Sequence, residues 1–429
     1  MSRLVCLIGV LSVVMLVSGC PQNSSSPPVE PTPAEADAPG ESSPSATSAE
    51  PATEPTVEPD NADDMQALAE MGVVMKKDSA GNVIAADAKP ATITDEQVQH
   101  FQGLHSLKVL SLENGQITDA GLEVLEHLPQ LNELNLRRCS SLTADALTRL
   151  KFVPDLERLL LLYTDIPDEG LQHLSLLNNL KVLDLRGCKK IGNAGLEHLK
   201  GLDSLVDLKL RTPSVDNRGL AHLAGLTNLR YLSLEDCGVD DDGMKHLEGL
   251  DKLVAFNAMR SYVGDDGMKY LADNQLRDLR LRDTIVLGPG LDALEGSRDS
   301  LTYLDLSETR ISNDGLKSVV PFKNLKTLSV WNGAFDDEGM ALLADLNQLE
   351  DLDVQGTRDV TSASAESILK LPTLRVLNVA ETSFDDDGLM KLVDHEALKE
   401  IKVSRSGITD DGIAKFQEAR PNVKIDNGF

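Results

Sequence analysis

Residues 107–128 read LKVLSLENGQITDAGLEVLEHL, and this stretch decides the fold. Leu107, Leu110 and Leu112 alternate with polar positions as the buried face of a strand does, whereas Leu122, Leu125 and Leu128 step by three as one face of a short helix does. Ile117, Thr118 and Asp119 lie between them as an acidic turn. The LxxLxL opening recurs at Leu131, Leu156, Leu180, Leu205, Leu229, Leu253, Leu276, Leu301, Leu325, Leu349, Leu374 and Leu398, at spacings of 23 to 25 residues. Val83, Ala86, Ala88 and Ile93, followed by Val98, Phe101 and Leu104, form a degenerate earlier copy.

No such repeat buries its apolar side alone, but stacked repeats share one leucine core. Stacked strands stand about 4.8 Å apart and packed helices about 8 to 10 Å, so the stack bends with the strands inside. The expected fold is an α/β solenoid, a horseshoe with a concave parallel sheet and short convex helices. Residues 83 to 421 resemble leucine-rich repeats of the TDxGLxxL kind, found in bacterial surface proteins, ribonuclease-inhibitor-like proteins and F-box substrate receptors. That resemblance implies binding rather than catalysis.

The chain of 429 residues has 41 Lys plus Arg against 69 Asp plus Glu, a formal charge of −28, which argues against a nucleic-acid partner. Residues 1–20 place Arg3 before an apolar run from Leu4 to Val17, the layout of a secretory signal and too short to span a bilayer. Val17, Ser18, Gly19 and Cys20 resemble the lipobox of bacterial lipoproteins, which implies cleavage before Cys20 and its lipidation. Residues 21–64 hold ten prolines and ten acidic residues without Lys or Arg, the composition of an extended tether. Residues 65–82 read as an N-terminal cap, and 422–429 as a closing strand and tail. The location expected is an exported protein, lipid-anchored to a bacterial membrane facing the periplasm or the cell surface.

Several repeating side chains invite a chemical reading. The acidic turns stack Asp241 near Asp265, Asp242 near Asp266 and Asp386 near Asp410, bringing like charges together on one edge. Solvated helix caps are favoured over bridging calcium, since no EF-hand or nonapeptide calcium loop is present. Glycine precedes the first helix leucine in eleven of thirteen repeats, where a side chain is expected to hold the helix off the sheet. Cys139, Cys188 and Cys237 share an inward position filled elsewhere by Thr164, Thr284, Thr309, Thr357 or Thr382, so buried free thiols are expected. His173, His198, His222 and His246 recur on successive helices, too far apart to share a zinc. No metal or cofactor is implied, and no GxSxG, HExxH, P-loop or Rossmann fingerprint occurs.

A partner site is expected on the concave face, among side chains alternating with the core leucines. Arg137, Arg138, Arg158, Arg186, Lys209, Arg211, Arg260, Arg280 and Arg282 form a basic column, followed by Tyr303, Asp305, Trp331, Asp351 and Asp353. Tyr303 and Trp331 read as anchors and the arginines as guides for an acidic protein or peptide. The competing reading is a ladder with Glu133, Asp184 and Asp207 that solubilises the sheet. The function expected is a non-catalytic binding scaffold; an enzyme inhibitor of the ribonuclease-inhibitor kind and a protein binding anionic glycans are the alternatives.

Overall fold

The computed structural model describes residues 59–428; the signal, Cys20 and most of the tether lie outside the described residues. Residues 59–428 form an open solenoid around one sheet of sixteen strands that lie side by side in chain order. An antiparallel pair, β1 (Val74–Lys77) and β2 (Val83–Asp87), starts the sheet, and every later pairing is parallel and in register, such as Leu208 opposite Leu232 and Leu232 opposite Phe256. Most strands have three residues, but β2 and, side by side in the middle of the sheet, Val182–Arg186, Asp207–Arg211 and Tyr231–Glu235 have five. The inward leucines are buried throughout, and Phe256 and Ala258 replace two of them in the repeat beginning at Leu253 without opening the core. Each fully buried Leu contributes about 1.5–3 kcal/mol, and the contribution is shared between neighbouring repeats.

The convex segments are a mixture. Gly121–His127, Ala144–Phe152, Asp168–Leu176 and Asp265–Leu271 are 3₁₀-helical, whereas Asn193–Glu197, Asp337–Leu343 and Asp410–Ala419 are α-helical. An apolar step of three suits the 3.0 residues per turn of a 3₁₀-helix, which is why GLxxLxxL supports it.

The N-terminal cap begins before Met65. Its helix, α1 (Ala62–Glu70), is capped by Asn61, whose side chain accepts the N–H of Asp63 at 2.9 Å, and His100 contacts Asp64 at 2.8 Å. Asp60 accepts the N–H of Val83. These polar residues carry no hydrophobic period, so the expected boundary at 64 falls inside the folded cap.

The acidic turns bind each repeat to the next. The first residue after each helix cap reaches to the next repeat and accepts its cap N–H, at eleven interfaces in all. The residue types follow a pairing rule. A carboxylate serves where the N–H reached belongs to Thr, Gly or Leu: Asp95 to Thr118 at 2.7 Å, Asp241 to Gly264 at 2.6 Å, Asp265 to Leu287 at 3.0 Å and Asp386 to Thr409 at 2.7 Å. Where the next cap is itself Asp, the donor-bearing Asn193, Asn217, Asn313 or Ser362 takes the place, giving one hydrogen bond in each direction. In the stacks expected of Asp241 with Asp265 and of Asp386 with Asp410, the carboxylates of Asp241, Asp265 and Asp386 are held by backbone donors of the following repeat. The ladder is interrupted at Ala144, which faces Pro167 with no N–H to offer, and at Gly288, which has no side chain.

The repeating glycine makes room for this ladder rather than for the sheet. A Cβ at Gly195, Gly219, Gly243 or Gly412 would lie 2.3, 2.5, 2.2 or 2.0 Å from the ladder oxygen of Asp168, Asn193, Asn217 or Asp386. The missing glycine near 364 has the same logic, since the Ser364 hydroxyl donates to the ladder carboxylate of Asp337.

Candidate functional site

Strand alternation sends the side chains between the core leucines onto the concave face, and the expected partner residues meet there. Arg158, Arg186, Lys209, Arg211 and Arg280 project from strands or strand ends, but Arg138 and Arg260 stand in the left-handed residue that closes each strand, at φ 60° and 56°. The same turn conformation recurs at Asn114, Tyr163, Asp236, Asp283, Glu308 and Asn332, so these two arginines belong to the turn rather than to the sheet floor.

The column is charge-balanced. Arg158 meets Glu133 at 3.0 Å, Arg186 meets Asp184 at 2.7 Å, Lys209 meets Asp207 at 2.9 Å and Arg280 meets Asp278 at 2.8 Å. Arg211 and Arg260 converge on Asp236 and Glu235, Arg137 lies 3.5 Å from Glu113, and Arg282 lies 3.6 Å from Glu308. The Arg260 side chain hydrogen-bonds Asp236, which holds the guanidinium firmly charged and keeps that carboxyl below its ordinary range. Arg138, which pairs with no acid among the described residues, lies 5.7 Å from the Tyr163 ring centre.

Trp331 and Tyr303 are already engaged. Arg282 stacks over Trp331 at 4.7 Å, across the small Ser307 of the intervening repeat, and Arg280 stacks over Tyr303 at 4.8 Å. Beyond them Asp351 and Asp353 are pushed above the usual carboxylate range by burial. The expected hot spot is a half-buried cation–π platform.

The open part of the face lies nearer the middle. A hollow of about 220 Å³ sits over Ala255, Phe256 and Asn257, between Lys209 and Tyr231 on one side and Arg280 on the other. A groove of about 500 Å³ runs from Tyr163 past Gly187, Arg211 and Arg260 to Tyr262, and a hollow of about 150 Å³ lies among Arg137, Leu162 and Arg186. The three are contiguous, sharing Arg186, Arg211 and Tyr163. Gly187 is needed there, because a Cβ would lie 2.4 Å from the Tyr163 ring. Tyr163, Tyr231 and Tyr262, exposed by 42%, 41% and 65%, are contributors that the sequence reasoning passed over. A signal was available for Tyr163, which places an aromatic side chain at a repeat position filled elsewhere by small, polar or charged residues.

Comparison with known proteins supports the repeat assignment. A family model described as leucine-rich repeat matches residues 103–125, 177–200, 225–247, 300–320 and 370–393. The chain carries leucine-rich repeats. An internalin of Listeria monocytogenes is similar at 18% identity over 87% of this chain and 96% of its own, with a TM-score of 0.54. A leucine-rich repeat protein of Leptospira interrogans matches at 16% identity over 78% of this chain and 87% of its own, also at 0.54. A chain of the yeast Rad7–Elc1 complex matches at 20% identity over 78% and 83%, with a TM-score of 0.50. No curated protein matches the sequence.

Within the repeats the cysteines serve packing. Cys139, Cys188 and Cys237 are free and buried, and burial pushes the thiols of Cys139 and Cys237 to about 11 and about 12. Each of Thr164, Thr284, Thr309 and Thr382 at the equivalent position donates to the carbonyl three residues earlier, so this site in the repeat satisfies a buried backbone acceptor. Among the described residues no group of three or more His, Cys, Asp or Glu is arranged to hold a metal, and no helix is long and apolar enough to cross a membrane.

Proposed function

We propose that this protein is a non-catalytic recognition scaffold that binds an extended segment of a protein or peptide across its concave face, and that lipid on Cys20 holds it to a bacterial membrane. The observation that carries the reading is the continuous groove from Tyr163 to Tyr262, which follows the turns at the ends of the five-residue strands Val182–Arg186, Asp207–Arg211 and Tyr231–Glu235 and is lined in part by side chains already fixed by ion pairs. Rigid tyrosines and pre-positioned arginines cost little ordering entropy on binding. Tyr163 and Tyr262 belong to repeats four strand steps apart, about 19 Å at about 4.8 Å per step, a span that about six extended residues cover. The lipobox resemblance and the acidic, proline-rich composition of residues 21–58 support export and display.

Affinity capture from a bacterial envelope extract, with the full chain beside a Tyr163→Ala, Tyr231→Ala, Tyr262→Ala variant, tests the binding face. A partner retained by the native chain and lost by the folded variant supports it; equal retention by both moves the site to the convex side. Membrane fractionation of Cys20→Ala tests the anchor, which fails if the variant stays with the membrane.

A further inference from the structure

The smallest of the three hollows has a chemistry of its own. Its lining of Arg137, Leu162, Tyr163, Arg186, Arg211 and Glu235 brings three guanidinium groups around about 150 Å³, with one carboxylate among them. That carboxylate, Glu235, is directed to Arg260 and Arg211. The acids that hold the three arginines engage only part of each fork. Arg186 donates to Asp184 through Nε and Nη2, and Arg211 donates to Asp236 through Nε. Arg137 makes only a 3.5 Å contact to Glu113, and its Nε is buried without a partner. An Arg carries five N–H donors, so donors remain available on all three. A buried donor left without an acceptor carries a desolvation cost, and neighbouring guanidinium groups repel one another, so an entering anion relieves both. Leu162 and the Tyr163 ring supply an apolar wall, suited to the short methylene stem of an acidic side chain.

We infer that the hollow between Arg137, Arg186 and Arg211 is a carboxylate subsite that seats an Asp or Glu side chain, or the terminal carboxylate, of the peptide lying in the tyrosine groove. The inference rests on the concave-face function proposed above. It also narrows the general expectation of an acidic partner: Arg158, Lys209 and Arg280 each stand with one acid, whereas here three arginines face one opening.

The test uses the full chain and biotinylated octapeptides randomised at seven positions, in pools that carry Glu or Gln at one central position and a free or amidated C-terminus. Charge-assisted hydrogen bonds of this kind are expected to favour carboxylate-bearing pools about 10- to 100-fold. Preference for Glu over Gln in amidated pools identifies a side chain, and preference for the free acid identifies the terminus; either supports the subsite. The triple change R137Q, R186Q, R211Q should abolish the preference. Because it leaves Asp184 without its partner and takes one of two from Glu113 and Asp236, R137K, R186K, R211K is measured beside it: this variant keeps the ion pairs and should retain a reduced preference, since Lys lacks the fork. Equal binding of Glu and Gln pools and of free and amidated pools, an unchanged preference in the folded Gln variant, or no binding of any pool at millimolar peptide overturns the subsite. Peptides bound without carboxylate preference but lost in Tyr163→Ala, Tyr262→Ala would leave the concave-face function standing. Binding unaffected by every variant would remove both.

Discussion

Asn217 and Asp240, on consecutive repeats, exchange two hydrogen bonds: the Asn217 amide donates to the Asp240 carboxylate at 2.6 Å, and its carbonyl oxygen accepts the Asp240 N–H at 3.1 Å. A carboxylate at 217 would lose the donor and face a second negative charge. We expect Asn217→Asp to destabilise the protein by about 1–3 kcal/mol at pH 7, read as a lower urea midpoint, and to recover part of that loss at pH 4. The reverse change at a carboxylate step, Asp386→Asn, keeps the acceptor for the Thr409 N–H and should cost less. Equal losses at both sites would remove the pairing rule.

Gly243 sits where its Cβ would be 2.2 Å from Asn217 Oδ1 and 3.3 Å from the Asn217 Cα. The side-chain oxygen is the obstacle and the backbone is not. Gly243→Ala is therefore expected to cost about 1–3 kcal/mol, while the double change Asn217→Ala, Gly243→Ala should cost less than the sum of the two singles. Additive losses in a thermodynamic cycle would mean that the glycine answers to something other than the ladder.

Acid should weaken the caps in a defined window. The Arg218 hydrogen bond holds Asp216 at about 2, and Asp336 and Asp385 are lowered first by their hydrogen bonds to Asn313 and Ser362. Carboxyls depressed in the folded state stabilise it fully above their unfolded value near 4, and the contribution disappears as pH falls through the folded value. The unfolding midpoint should drop between about pH 4 and pH 2. Asp353 runs the other way: burial raises it, so its protonated form favours the fold and that contribution fades as pH rises. Asp353→Asn, which keeps an acceptor for the Gln355 N–H, should raise the melting temperature at pH 7 and leave it nearly unchanged at pH 3.

The three core thiols should be silent until the solenoid opens. In a Cys6→Ala, Cys20→Ala background, a thiol reagent at pH 8 should find none of Cys139, Cys188 and Cys237 in the native protein and all three in denaturant, because burial keeps each thiol protonated. Reaction of any one before unfolding would place it nearer the surface than the core.

The leucine spacing from Leu107 to Leu398 determined by itself the repeat, the strand-and-helix alternation and the side of the sheet on which Arg158 or Trp331 would stand, because a period of two followed by steps of three admits one stacked arrangement. The buried thiols of Cys139, Cys188 and Cys237 were legible for the same reason: their register position is inward in every copy. Contacts between repeats were not legible. A run such as Asp240–Asp242 shows charge but not direction, and only the stacked structure decided that Asp241 turns to the Gly264 N–H. The basic column was read one strand at a time, whereas its ion pairs join residues two positions apart on one strand, as in Arg186 with Asp184, or on neighbouring strands, as in Arg158 with Glu133. Tertiary structure likewise stacked Arg282 on Trp331 and opened the groove between Tyr163 and Tyr262. The physical reason is range: periodicity fixes which face a side chain occupies, but a hydrogen bond, an ion pair or a cavity forms between atoms about 24 residues apart in the chain, and only packing brings those together.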